Sequence, residues 1–204
     1  SLLIAKQYSS QQLAYYSKAE QFPSIIATNS DYALQNILLP GYSMVQEDYS
    51  QVKKILRASV KMSSFFLFPA MSGLASIAHP IVLLLLTDKW LPCVPFLQLS
   101  CIKYALQPIR TASIQAMNGI GKSKISLKIG LITKMIGIAI LGITLRFNVM
   151  VVAIGAVTVS ICTTIIIMFI ANKYLQYSIS DQLIDIFPVS LCSIIMLLCI
   201  NLIG

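Results

Sequence analysis

The stretch FNVMVVAIGAVTVSICTTIIIMFIAN, residues 147–172, runs for twenty-six positions without a charged side chain. It sets the solvent for which this chain is built. A helix rises 1.5 Å per residue, so about 20 apolar residues cross the hydrocarbon core of a bilayer. The run is long enough to cross, and its uniformity suggests a helix that faces lipid or packs at the back of a bundle. In such surroundings the reading of charge inverts. A Lys or Asp inside a span is costly to place there and marks a candidate for function.

Working outward, the whole composition agrees with that solvent. Hydrophobic residues make up 57% of the chain and charged ones 11%, less than half the roughly 25% usual in soluble domains. Mean hydropathy is +0.80. The net charge of +8 gathers at the ends of apolar runs rather than in one stripe. That fits anionic lipid headgroups and argues against nucleic acid as a partner. Cys93, Cys101, Cys162, Cys192 and Cys199 form no CxxC pair and the chain has one His. They read as small packing residues, and no metal, redox site or bound cofactor is expected. There is no signal-peptide pattern.

Six spans are predicted, over 22–45, 62–87, 91–118, 125–146, 148–172 and 187–204, with 1–8 as the tail of a seventh. The connections are short, which implies antiparallel neighbours. The expected fold is therefore all-α: a polytopic integral membrane helical bundle of about six to seven transmembrane helices. The chain begins without Met and stops after an apolar run, so it reads as a fragment.

Lys and Arg near the span ends set the orientation. Segment 46–61 carries Lys53, Lys54, Arg57 and Lys61, and segment 119–128 carries Lys122, Lys124 and Lys128. The alternate connections carry only Lys89 and Arg146. Loops 46–61 and 119–128 are thus expected to be cytoplasmic. Loop 173–186 should share their side, yet it sets Lys173 against Asp181 and Asp185. Within 46–61, Val52, Ile55, Leu56 and Val60 recur at helical spacing. This describes either an amphipathic helix lying in the interface or a plain extension of the next span.

The polar residues inside the spans carry the functional reading. Ser24, Thr28, Asp31 and Gln35 fall within about 60° of arc on a helix, with Tyr42 on the same line and Asn36 and Tyr32 widening the face. Such a face lines a water-filled cavity or joins a hydrogen-bond network with another helix. Lys103, Gln107 and Arg110 share a face in the third span, and Pro108 favours a kink beside them. Two buried cations on one face hold an anion such as a diphosphate, or else snorkel to headgroups. Lys134 sits about ten residues into its span, where it pairs with Asp31, snorkels or adds to the site. His79 precedes Pro80 at an expected helix break, as a proton relay or a helix-end histidine. Asp88, Lys89 and Trp90 read as an interfacial anchor. There is no Ser/His/Asp set, no Gly-rich phosphate loop and no paired acidic motif. Movement of a charged substrate is expected rather than an enzyme's bond chemistry.

Several motifs resemble the polysaccharide transporters, or Wzx-type oligosaccharide flippases. They are LAYYSKAE (13–20), NILLPGYS (36–43), QED (46–48), AHPIVLLLLTDKW (78–90) and NGIGK (118–122). The likeness covers about residues 8–130, with Ala14 and Gly41 as departures from the pattern. It implies a full chain of two pseudo-symmetric lobes around a cationic cavity. Residues 1–172 would be the second lobe, lacking most of its first helix, and 173–204 a loop and the start of additional C-terminal helices. The implied activity is alternating-access transport of undecaprenyl-diphosphate-linked oligosaccharide across the bacterial inner (cytoplasmic) membrane, for lipopolysaccharide O-antigen, capsule or exopolysaccharide. Coupling to an H+ or Na+ gradient and contact with other polysaccharide-assembly proteins come with that reading. Asp31 and its face would line the cavity, and Lys103 and Arg110 would meet the diphosphate or acidic sugars. The alternatives are a peptidoglycan-precursor flippase, a cation-coupled drug antiporter, or a polytopic enzyme of polysaccharide assembly.

Overall fold

A computed structural model describes residues 10–45, 47–144 and 146–203, the side chains of 10 and 201–203 excepted. The described residues form helices and short turns, with no strand among them. The expected helix tail at 1–8 lies outside them. In chain order the helices are α1 Ser10–Met44, α2 Tyr49–Ser76, α3 Ala78–Leu86, α4 Val94–Ala105, α5 Gln107–Gly119, α6 Ser123–Thr144, α7 Val149–Leu175 and α8 Ile179–Ile203. A 3-10 turn, Asp88–Cys93, joins α3 to α4.

The span count differs from expectation. Among the described residues, three helical stretches are long and apolar enough to cross a membrane: Ser123–Thr144, Val149–Leu175 and Ile179–Ile200. A fourth arises only if α2 and α3, bent by 69°, count as one broken span. The other two expected spans, 22–45 and 91–118, do not reach that length and apolarity, for different reasons. α1 is 35 residues long, but Asn29, Ser30, Asp31, Gln35 and Asn36 make it too polar. The 91–118 segment breaks at Leu106 into helices of 12 and 13 residues, because Pro108 at the start of α5 has no backbone N–H to continue the ladder.

Local chemistry fixes the other boundaries. Asp48 caps α2, accepting from the backbone N–H groups of Ser50 (2.9 Å) and Gln51 (3.2 Å). The Gln51 bond and its neighbour hold this carboxylate below its ordinary range. At the α5–α6 turn, Lys122 N–H donates to Met117 O at 2.9 Å and Gly121 N–H to Asn118 O at 3.1 Å. This is a Schellman closure that needs a left-handed residue, and Gly121 supplies it with φ +75°. Two residues earlier, a Cβ on Gly119 would lie 2.3 Å from the Tyr42 Cβ, so the glycine lets α5 close on α1.

Segment 46–61 resolves in favour of the plain extension over its described part, since α2 runs unbroken from Tyr49. Val52, Leu56 and Val60 are buried in the protein core, not laid in lipid; Gln46 lies outside the described residues. Tyr42, expected on the polar line of α1, is fully buried in the same core. Loop 173–186 shortens, because α8 already begins at Ile179. α8 packs chiefly against α2 and only slightly against α7, its neighbour in sequence.

Two apolar cores result. One joins Leu38 and Tyr42 of α1 with Leu56, Ile109, Met117 and Leu175. The other joins Ala19 and Ala27 with Leu67, Met71, Leu97 and Cys101. On α1, α4–α5 and α7, the residues at their junction are polar.

Candidate functional site

Between the cores, α1 meets α5 through Asp31. The Asp31 carboxylate accepts from Gln107 Nε2 and from Thr111 Oγ1, the latter at 3.0 Å. The face expected on α1 thus finds a partner helix at Asp31. Ser24 and Thr28 donate to their own helix at Gln21 O (2.8 Å) and Ser24 O (2.6 Å), and Thr28 is exposed. Gln35 is exposed. Of that line, only Asp31 is brought into the site.

Arg110 is held differently from Asp31. Its Nη1 donates to the Ser160 hydroxyl at 2.9 Å and the Thr163 hydroxyl at 3.4 Å, both on α7. Ser160 in turn donates to the backbone carbonyl of Lys103 at 3.1 Å. Asp31 is near enough to act on Arg110 through space, yet its oxygens are taken by Gln107 and Thr111. Arg110 forms no ion pair among the described residues. Neutral hydroxyls orient the guanidinium without cancelling its charge.

A cavity of about 600 Å³ opens beside it. Gln107, Arg110 and Thr111 form one wall, Ser126, Thr133 and Lys134 of α6 another, and Thr163 of α7 a third. Lys134 does not pair with Asp31; it lines this cavity with Arg110 and forms no ion pair among the described residues. Among the described residues, the lining holds two cations and no carboxylate. Such a cavity offers an anion charge-assisted donors from two helices.

Lys103 is not part of that lining. It pairs with Glu20 of α1 and lies 4.7 Å from the Tyr104 ring centroid. It lines a separate cavity of about 280 Å³ with Tyr16, Gly137 and Gly155. Lys103 and Arg110, expected to share a face, line different cavities, and the cation that shares a cavity with Arg110 is Lys134. His79 is exposed in the first turn of α3, two residues past the break at Ile77, and takes no part in the site. At that break, Gln98 Nε2 of α4 donates to the Ala75 carbonyl at 3.3 Å.

Sequence reading missed three contributors. Glu20 is eleven residues before Asp31, hence about 20° away on the helix wheel; extending the polar line backward finds it. Ser160 and Thr163 lie in the charge-free run itself, which is therefore no blank wall. The third is a distant charge cluster. Arg57 donates Nε and Nη2 to the two oxygens of Asp185 at 2.7 and 2.8 Å. Tyr177 Oη adds a bond at 2.8 Å, Lys61 lies at 3.1 Å from Asp185, and Lys53 at 3.1 Å from Asp181. The two acids that weakened the charge count for loop 173–186 are the ones that pin α8 to α2.

Known proteins bear on these features. The sequence profile of the family described as "Polysaccharide biosynthesis protein" matches residues 1–95. An uncharacterized membrane protein in the cps region of Klebsiella pneumoniae is 29% identical over 118 residues, which is 58% of this chain and 24% of that protein. The succinoglycan biosynthesis transport protein ExoT of Rhizobium meliloti is 24% identical over 124 residues, 61% of this chain and 25% of that protein. These alignments span about a quarter of the length of the curated relatives. No solved structure matches the chain. By these matches the chain is similar to membrane proteins of polysaccharide biosynthesis and transport.

Proposed function

We propose that the chain is part of a flippase that moves a lipid-diphosphate-linked oligosaccharide across the bacterial inner membrane. In this reading residues 1–172 belong to its second lobe, and the basic ends at 46–61 and 119–128 face the cytoplasm. One observation carries it: Arg110 and Lys134 face a single cavity that has no carboxylate in its lining. A drug antiporter for cations would gain from the reverse arrangement, acids without paired bases. The transport activity in the name of the Rhizobium meliloti relative points the same way.

The chemistry asked of the cavity is modest. A diphosphate leaving water needs its charge matched and its oxygens bonded. Arg110 and Lys134 supply the charge, while Gln107, with one of its two amide N–H groups given to Asp31, keeps the other as a neutral donor. Asp31 contributes by fixing Gln107 and Thr111 on α5, and Lys103, already neutralised by Glu20, acts as a strut between α4 and α1. Alternation of the cavity between the two membrane faces would follow the rocking of lobes found in repeat transporters, with coupling to H+ or Na+ left to acids such as Asp31.

Export of surface polysaccharide in cells tests this. The Arg110→Gln/Lys134→Gln protein should reach the membrane at normal levels and lose export. Lys134→Gln alone should lower export severalfold. Normal surface polysaccharide in the double variant would overturn the assignment of the cavity.

A further inference from the structure

The basic end of the molecule holds more positive charge than its carboxylates answer. Lys53, Arg57 and Lys61 are matched by Asp181 and Asp185. Lys54, Lys122, Lys124, Lys128 and Lys173 form no ion pair among the described residues. Two of these five are not loose. Lys122 Nζ lies 5.1 Å from the Tyr174 ring centroid and 5.3 Å from that of Tyr49. Lys173 Nζ lies 5.7 Å from the same Tyr174 ring.

We propose that Lys122, Lys173 and Tyr174 form a binding site for the phosphate of an anionic phospholipid headgroup. Three facts converge on that ligand. First, Lys122 and Lys173 both stand against the Tyr174 ring and neither is paired with a carboxylate among the described residues, so an anion that reaches the ring edge meets two unanswered charges. Second, the site sits where the three apolar spans have their charged ends: α6 begins at Ser123, α7 ends at Leu175 and α8 begins at Ile179. That is headgroup depth, where Tyr and Lys anchor to lipid. Third, the first backbone N–H groups of the 22-residue α6 follow directly after Lys122, and a helix start attracts phosphate.

The parts are also prepositioned. The Schellman bond from Lys122 N–H to Met117 O at 2.9 Å fixes where Lys122 leaves the chain. Tyr49 approaches from the start of α2 and Tyr174 from the last turn of α7, so three chain ends meet at one cation. A headgroup bound there would tie α2, α6 and α7 together at the membrane surface. Lys124 and Lys128, exposed along α6, extend the positive rim toward neighbouring lipids.

Native mass spectrometry of the full-length protein in detergent tests the site, with phosphatidylglycerol and phosphatidylcholine of the same chain length as probes. The wild type should retain phosphatidylglycerol preferentially. Lys122→Gln/Lys173→Gln should lose retention by roughly twenty-five-fold, at about fivefold per lysine. Lys89→Gln/Arg146→Gln, at the connections on the other side, should change it less than twofold. Should the first variant disturb the α5–α6 turn, Lys173→Gln alone must still lose about fivefold. Three results would overturn the proposal: equal retention of the two lipids, undiminished retention in the Lys122/Lys173 variant, or displacement of the lipid by inorganic phosphate at equal concentration, which would make it a site for free phosphate.

Discussion

Arg57 and Arg110 both reach across helix contacts, but different chemistry holds them. Arg57 meets Asp185 with two parallel bonds at 2.7 and 2.8 Å, and the Asp185 side chain is only 1% exposed. Arg110 meets two hydroxyls and keeps its charge facing a cavity. The first arrangement uses charge for docking, since it joins α8 to a helix that is not its sequence neighbour. The second spends little stability on the cation and leaves it available. An arginine in this protein is therefore read by its partner and not by its depth.

That contrast breaks most visibly at the docking end. Arg57→Ala leaves Asp185 buried with only Lys61 and Tyr177, and should cost about 3 kcal/mol of unfolding free energy. Chemical unfolding in detergent measures it. Arg57→Met combined with Asp185→Asn should recover much of the loss, and a single-variant cost near zero would dissolve the contrast. Next in size, Gly119→Ala forces a Cβ against Tyr42 and should cost about 2 kcal/mol by overpacking, read in the same assay. Arg110→Gln should lower stability by about 1 kcal/mol or less, since neutral donors remain for Ser160 and Thr163. A loss as large as that of Arg57→Ala would mean that Arg110 is structural.

The smallest effect is a pH dependence at Asp48. Its carboxylate, held below the ordinary value by backbone N–H groups, helps α2 above that ordinary value. The help fades as pH falls through the lower folded-state value. Amide exchange at Ser50 and Gln51 should rise over that acid range and stay flat above it. In Asp48→Asn, which still caps, the pH step should vanish.

How much of this was legible follows from the range of each signal. The helical class and the membrane solvent are properties of apolar runs, so α6 and α7 could be read directly, and α8 only from Phe187 on, its first two turns carrying Asp181 and Asp185 and reading as loop. The span at 91–118 could not, because whether Pro108 bends or breaks a helix depends on what packs around it. Asp31, Gln107, Arg110 and Lys134 stood out as polar residues in apolar surroundings. Their grouping did not, since Lys103 and Arg110 seven residues apart look like partners until Glu20 claims one. Ser160 and Thr163 were invisible for a simpler reason: a hydroxyl in a helix can satisfy itself on its own backbone, so its presence alone predicts no contact. The Arg57–Asp185 bonds join residues 128 apart, beyond any local pattern.

Binding of a lipid diphosphate to the full-length protein, followed by titration calorimetry, tests the central claim most directly. Arg110→Gln/Lys134→Gln should weaken binding at least tenfold, the size expected when charge-assisted bonds are removed. Lys53→Gln/Lys61→Gln, which loosens the docking cluster, should leave affinity unchanged. The opposite pattern, with affinity lost at Lys53 and Lys61 and kept at Arg110 and Lys134, would contradict the account.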